Sequence, residues 1–187
     1  NCTGTRMSGL RAGCPVEIAS ANDLPDGLLL RARLRIRVAG HDAAFQVVAQ
    51  KMSEELIVVG ITPYGTRLFE LRQRDRRYTV EPEAPEELRI VASYALDALY
   101  RAYWIEPPGE ATSWDRNGER VSESRSEGGG SREYRQTGWG TGFGSVTIVY
   151  DDAAGFPGAR GAKVENPWCG YRATIILLGV SEEEQAS

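Results

Sequence analysis

Three cysteines and a single histidine are the residues here whose chemistry depends most on placement, and their spacing argues against catalysis. Cys2, Cys14 and Cys169 are too scattered for a zinc site, which needs ligands paired a few residues apart with more cysteine or histidine nearby, so no metal is expected. His41 falls in a predicted turn, leaving a Ser-His or Cys-His dyad without a placed base, and GxSxG, HExxH and GxxxxGKS/T are all absent. Glu86-Glu87 and Asp151-Asp152 are adjacent in sequence, which points their carboxylates apart on a helix or strand. The run GWGTGFG at 138–144 has the glycines of a phosphate loop, but the strand-like SVTIVY follows it where a helix N-terminus would be needed. Glycines alternating beside Trp139 and Phe143 fit a bent strand or a rim instead. The expectation is a protein that is not an enzyme and needs no cofactor, leaving open only a carboxylate pair that the fold itself would assemble.

The odd cysteine count suggests one pair and one special thiol. Cys14 with Cys169 would tie the N-terminal segment to the last strand, and a loop that long, closed without strain, would stabilise by roughly 5 kcal/mol. Cys2 would then be a lipid-acceptor cysteine. A Cys2–Cys14 pair, or three free thiols, are the alternatives.

The 187 residues, 41% of them hydrophobic, suffice for one domain with a real core. A net charge of -4 gives no bulk positive field, so nucleic acid is not an expected partner. No run approaches the roughly 18 apolar residues of a membrane-spanning helix. The chain opens on Asn1 rather than Met, as expected if a leader has been removed or trimmed.

The elements follow from periodicity. Residues 1–27 show no period and read as a tether or arm. In LLLRARLRIRVAG, Leu30, Ala32, Leu34, Ile36 and Val38 alternate with Arg31, Arg33, Arg35 and Arg37, which predicts a strand with one apolar and one guanidinium face. That arginine row would meet lipid phosphates, an acidic partner or simply solvent. AAFQVVAQ returns with Phe45 and Val47 inward. Two β-rich runs flank Thr62-Pro63-Tyr64-Gly65, the signature of a hairpin, and a short run at 77–80 follows. Then Leu96, Leu99, Tyr100, Tyr103 and Trp104 fall at the spacing of one helical face. Residues 109–144 are poor in aliphatics and predict a weak edge hairpin with a mobile tip. AKVENPW and GYRATIILLGV supply closing strands, and 181–187 form a solvated tail. Leu34, Ile36, Phe45, Val47, Val58 and Phe69 should thus share a concave sheet face beneath Leu96, Leu99, Tyr100 and Tyr103, all within one domain at 28–180.

The pattern Leu-x-Val-x-Gly-Ile-Thr-Pro-Tyr-Gly-x-x-Leu-Phe-x-Leu at 56–71, the helix soon after it and Gly-Tyr-Arg-x-x-Ile at 170–175 resemble a family of uncharacterised bacterial lipoproteins. That family is related in fold to the lipoprotein carriers LolA and LolB, and its genes often lie beside aryl-polyene or fatty-acid-type biosynthesis genes. The resemblance covers roughly Leu28 to Val180. It implies an α+β fold, an unclosed and strongly curved antiparallel β-barrel with helices across its concave face, and a cavity lined by the ten apolar and aromatic residues named above that accepts acyl chains. It also implies an exported, envelope protein facing the periplasm on the outer membrane, held there by lipid on Cys2 or by the Pro63-Tyr64-Gly65 loop. In LolB the matching turn carries an exposed apolar residue that engages the membrane, and Tyr64 would take its place. The ligand would be an acyl chain or lipidated molecule, with no protein partner specified; alternatives are a structural or interaction lipoprotein whose core is self-filled, or an accessory enzyme acting on a lipid-like substrate. One departure is that Asn1 precedes Cys2, where a lipid cysteine normally follows a small residue.

Overall fold

The computed structural model describes residues 19–81, 83–126, 129–137, 145–151 and 159–182. Alternating hydropathy sets the first half. Strand β1 (Leu28–Val38) and strand β2 (His41–Met52) pair with Leu34 opposite Phe45, and every residue from Leu30 to Val38 alternates between buried and exposed as its sequence requires. Strands β3 (Glu55–Ile61) and β4 (Arg67–Arg74) form the hairpin, and β5 (Arg77–Val80) closes that edge. At the tip, Gly65 takes a φ of 86°, a left-handed conformation that glycine adopts at little cost. Gly60 has a different role: a Cβ there would lie 2.4 Å from the Phe69 ring, so the bare backbone makes room for that ring.

Helix α1 (Glu86–Leu99) begins directly after Pro85, whose carbonyl accepts from Leu88 N at 3.0 Å, and Glu86 and Glu87 in its first turn complement the helix dipole. It runs on into a π turn, Tyr100–Trp104, closed by Ile105 N donating to Tyr100 O at 2.9 Å. The apolar face expected from Leu96, Leu99, Tyr100 and Tyr103 is there, but burial does not stop at one face: every residue from Ile90 to Ile105 is buried.

The segment expected to be a weak edge hairpin is two hairpins: β6 (Ser113–Arg116), β7 (Glu119–Ser126) and β8 (Gly129–Gln136). Its inward positions are Glu119, Val121, Arg132 and Tyr134, all buried, so a hydrophobic alternation could not reveal it. Strands β9 (Val146–Tyr150), β10 (Gly161–Asn166) and β11 (Tyr171–Glu182) complete the sheet. The order is β5-β4-β3-β2-β1-β11-β10-β9-β8-β7-β6, antiparallel throughout, and β5 and β6 remain unpaired edges. It is an unclosed sheet with one helix packed across its inner face, in line with the α+β half-barrel expected.

Both ends of the expected domain need adjustment. Ala19, Ala21 and Leu24 are buried, Ser20 Oγ donates to Asp75 Oδ1 at 2.7 Å and Gln73 Nε2 donates to Ala19 O at 2.7 Å, so the supposed arm is packed down well before Leu28. Ser181 and Glu182, assigned to a tail, pair with Leu29 and Leu28 in β11. Cys2, Cys14, the glycine run at 138–144 and residues 183–187 lie outside the described residues.

Candidate functional site

The inner face of the sheet has two characters. Across β1 to β4 it is apolar: Leu34, Ile36, Phe45, Val47, Val58 and Phe69 are all buried, and the Phe45 and Phe69 rings meet edge-on at 5.5 Å. Leu96, Leu99, Tyr100 and Tyr103 on the helix and π turn belong to the same buried cluster as these six sheet residues. Tyr100 packs edge-on against Trp104 at 5.0 Å and its hydroxyl donates to buried Gln73 at 3.0 Å; burial pushes that hydroxyl's pKa up.

Across β7 to β11 the inner face also buries apolar residues, among them Val121, Ile148, Val164 and Ile175, but it adds the polar groups that hold the helix. Asp97, one turn before Arg101, accepts from Arg101 Nε at 3.0 Å, from Tyr171 Oη at 2.5 Å and from Asn166 Nδ2 at 3.1 Å. Glu119 takes both terminal nitrogens of Arg101 at 3.1 Å, a bidentate pair, and the guanidinium lies 4.7 Å from the Tyr134 ring centre and 5.5 Å from that of Trp168. Burial lowers the pKa of Arg101, but Asp97 and Glu119 outweigh it and leave the group raised and charged. Burial, reinforced by Asp97, holds the Tyr171 hydroxyl well above its usual pKa.

A second clamp caps the end of the π turn, where carbonyls run out of helical partners. Arg132 Nη1 donates to Arg101 O at 3.0 Å and Ile105 O at 2.7 Å, Tyr134 Oη to Arg101 O at 2.8 Å, and Tyr150 Oη to Ala102 O at 2.7 Å. Arg132 is itself paired with Glu123. None of these groups is singled out as a fastening by the sequence; the signal available is the i, i+4 charge pair of Asp97 and Arg101 in a stretch, Ile90 to Ile105, that is apolar apart from them and Ser93. The arrangement anchors a helix; all its carboxylates are engaged by cations or hydroxyls, and it presents no pair free for acid–base work.

The remaining expected sites are separate from this interior. Tyr64 is 95% exposed at the tip of the β3–β4 hairpin, between Pro63 and Gly65, with the turn closed by Gly65 N to Thr62 O at 2.9 Å and Thr66 N to Thr62 Oγ1 at 3.0 Å. Cys169 is disulfide-bonded, and its partner lies outside the described residues, as does the proposed lipid acceptor Cys2. A cleft of about 530 Å³ opens at the β1–β2 and β10–β11 turns and is lined by groups including Arg37, His41, Asp42 and Arg172. Nearby, the Arg35 hydrogen bond holds the Asp42 carboxyl down to a pKa of about 2.

Residues 30–178 match the family described as "Protein of unknown function (DUF3261)". The chain belongs to the DUF3261 family. No curated protein matches it. Among solved structures it is similar to a putative outer membrane lipoprotein-sorting protein domain from Vibrio parahaemolyticus, at 9% identity and a TM-score of 0.36 over 86% of each chain. It is also similar to a DUF1329 family protein from Desulfovibrio piger, at 10% identity and a TM-score of 0.35 over 89% of this chain and 90% of that one. Superpositions this loose leave the description of this DUF3261 fold resting on its own strand order. Among the described residues, no helix is long and apolar enough to cross a membrane, a statement that does not extend to strands.

Proposed function

We propose that this DUF3261 protein is a non-enzymatic cell-envelope lipoprotein that takes an acyl chain, from a lipid, a lipidated protein or a polyene lipid, between α1 and the apolar half of the sheet. The observation that carries the reading is the one-sided fastening of the helix. An apolar surface on β1–β4 is covered by a single helix whose polar fastenings lie mostly on the other half, at Glu119, Arg132, Tyr134, Tyr150 and Tyr171. A helix held along one side can tilt away from the other without breaking its buried ion pairs.

Entry of a chain requires that motion, because the helix fills the space in this conformation. Each methylene leaving water gains about 0.8 kcal/mol, so a chain of about fourteen to sixteen carbons would gain roughly 10 kcal/mol before ordering costs, enough to offset partial loss of helix–sheet contact. Attachment to the periplasmic side of the outer membrane, through lipid on Cys2 and contact by Tyr64, completes the proposal.

The close packing supports a second reading, an interaction lipoprotein whose core is permanently self-filled: Leu96, Leu99 and Val58 are fully buried and the described clefts lie elsewhere. Organic extraction and mass spectrometry of gently purified protein, followed by titration with a fluorescent fatty acid, separates the two. Co-purifying acyl species and saturable uptake are expected of the carrier. A clean extract together with no uptake would favour the self-filled core.

A further inference from the structure

The outer face of the sheet, which the proposed function does not use, carries a concentrated positive charge. Arg31, Arg33, Arg35 and Arg37 project from β1, Arg172 from β11 and Lys163 from β10, on laterally paired positions: Arg37 opposite Arg172, Arg35 opposite Thr174, and Thr174 opposite Lys163. Among the described residues, two carboxylates accompany these six cations. Asp42 is shared between Arg35 at 2.6 Å and Arg37 at 3.0 Å, and Glu165 meets Arg172 at 3.2 Å. Among the described residues, no ion pair reaches Arg31, Arg33 or Lys163.

The same sheet shows what a merely solvated arginine surface looks like. On the outer side of β3, β4 and their flank, Arg67, Arg72 and Arg74 are matched by Glu55, Glu70 and Glu81 in a closed network of five ion pairs at 2.8–3.2 Å. The central stripe departs from that balance in a chain whose overall charge is -4.

Two further features fit one kind of anion. A shallow cleft of about 190 Å³ lies among Arg35, Arg37, Lys163 and Arg172, and planar guanidinium groups bind phosphate bidentately. Beside the cations, Ile176 opposite Arg33 is 48% exposed and Val149 opposite Lys163 is 54% exposed. Apolar side chains interleaved with a basic row suit the boundary of a bilayer, where headgroup phosphate and acyl carbon lie within a few ångströms. An acidic protein would satisfy the charge but gives the exposed Ile176 and Val149 no comparable role.

We propose that the outer face of β1, β11 and β10 docks on a membrane surface of anionic phospholipid, with Arg31 and Arg33 free to take phosphate and Ile176 and Val149 entering the headgroup boundary. The docking face is separate from the acyl site and from Tyr64, so the protein would lie with its sheet against the bilayer.

The test uses the 187-residue chain without lipid on Cys2, co-sedimented with vesicles of phosphatidylcholine alone or with added phosphatidylglycerol. Binding should require phosphatidylglycerol and should weaken between roughly 0.1 M and roughly 1 M salt, as the Debye length falls from about 10 Å to about 3 Å. The double variant Arg31→Gln/Arg33→Gln should bind about thirtyfold more weakly, at about fivefold per cation. Arg72→Gln/Arg74→Gln, the same charge change in the matched network, should cost less than about fivefold. Thermal melts check that both variants fold; should the first not fold, Ile176→Ser with Val149→Ser should weaken vesicle binding in its place. Equal binding to neutral vesicles, no binding to anionic ones, or equal losses in the two arginine variants would overturn the proposal. Fatty-acid uptake should survive in Arg31→Gln/Arg33→Gln, so failure of the acyl reading and failure of this one are distinguishable.

Discussion

Removing the Arg101 guanidinium would leave Asp97 and Glu119 buried without the cation that both hold. Arg101→Ala should therefore lower stability by about 3–5 kcal/mol in urea unfolding, the cost of stranding buried charge. The exposed pair of Arg120 with Asp115 provides contrast, since Arg120→Ala should cost no more than about 1 kcal/mol. The buried tyrosines set an alkaline limit. Burial raises the hydroxyl pKa values of Tyr100, Tyr134, Tyr150 and Tyr171, so above the unfolded value of about 10 the unfolded chain loses protons that the native chain keeps. Protons are then bound more in the native state, stability must fall as pH rises, and the urea midpoint should decline from about pH 10 upward. Tyr64 lies at the surface instead. Exposed at a loop tip, Tyr64→Glu should change stability by less than about 1 kcal/mol while weakening liposome association or ligand delivery; unchanged delivery would remove it from the membrane contact. Tyr64 could be read from its turn, because a Pro-x-Gly turn fixes what lies at a tip. Arg132 and Glu119 could not, because charged residues at inward strand positions leave no hydrophobic period to mark them.

At the scale of elements, β1 was legible because four arginines leave only one phase for burial, and the β3–β4 hairpin because its turn is written in Pro63 and Gly65. Helix α1 was legible as a helix but not as one buried on every side. Ala92, Ala95, Ala98 and Ala102 are fully buried, and such small residues let sheet and loop close over the helix where a polar face would be expected. Strands β6 to β8 were legible only as a weak edge hairpin, because a strand whose inward residues are partly charged carries no clear hydrophobic period. The close approach at Gly60 gives an element-level prediction: Gly60→Ala would push its Cβ into Phe69, and should destabilise by about 1–3 kcal/mol through displacement of that ring from Phe45. A thermal shift of the purified variant checks it.

The described residues form a sheet whose first strand sits at its centre beside its last, so the start of β1 pairs with the end of β11 while the helix crosses the inner face. The cysteines add a constraint. Cys169 is bonded, and a non-reducing peptide map should give Cys14 as its partner; Cys2 in the bond would instead exclude a lipid there. How the interior works is the central matter. Backbone hydrogen exchange at residues 86–104, measured with and without saturating fatty acid, tests most directly whether α1 moves to admit a chain. The account predicts that ligand changes exchange across α1 and the π turn while β1 and β11 stay as they were; saturable binding that leaves 86–104 unchanged, or no binding at all, would contradict it.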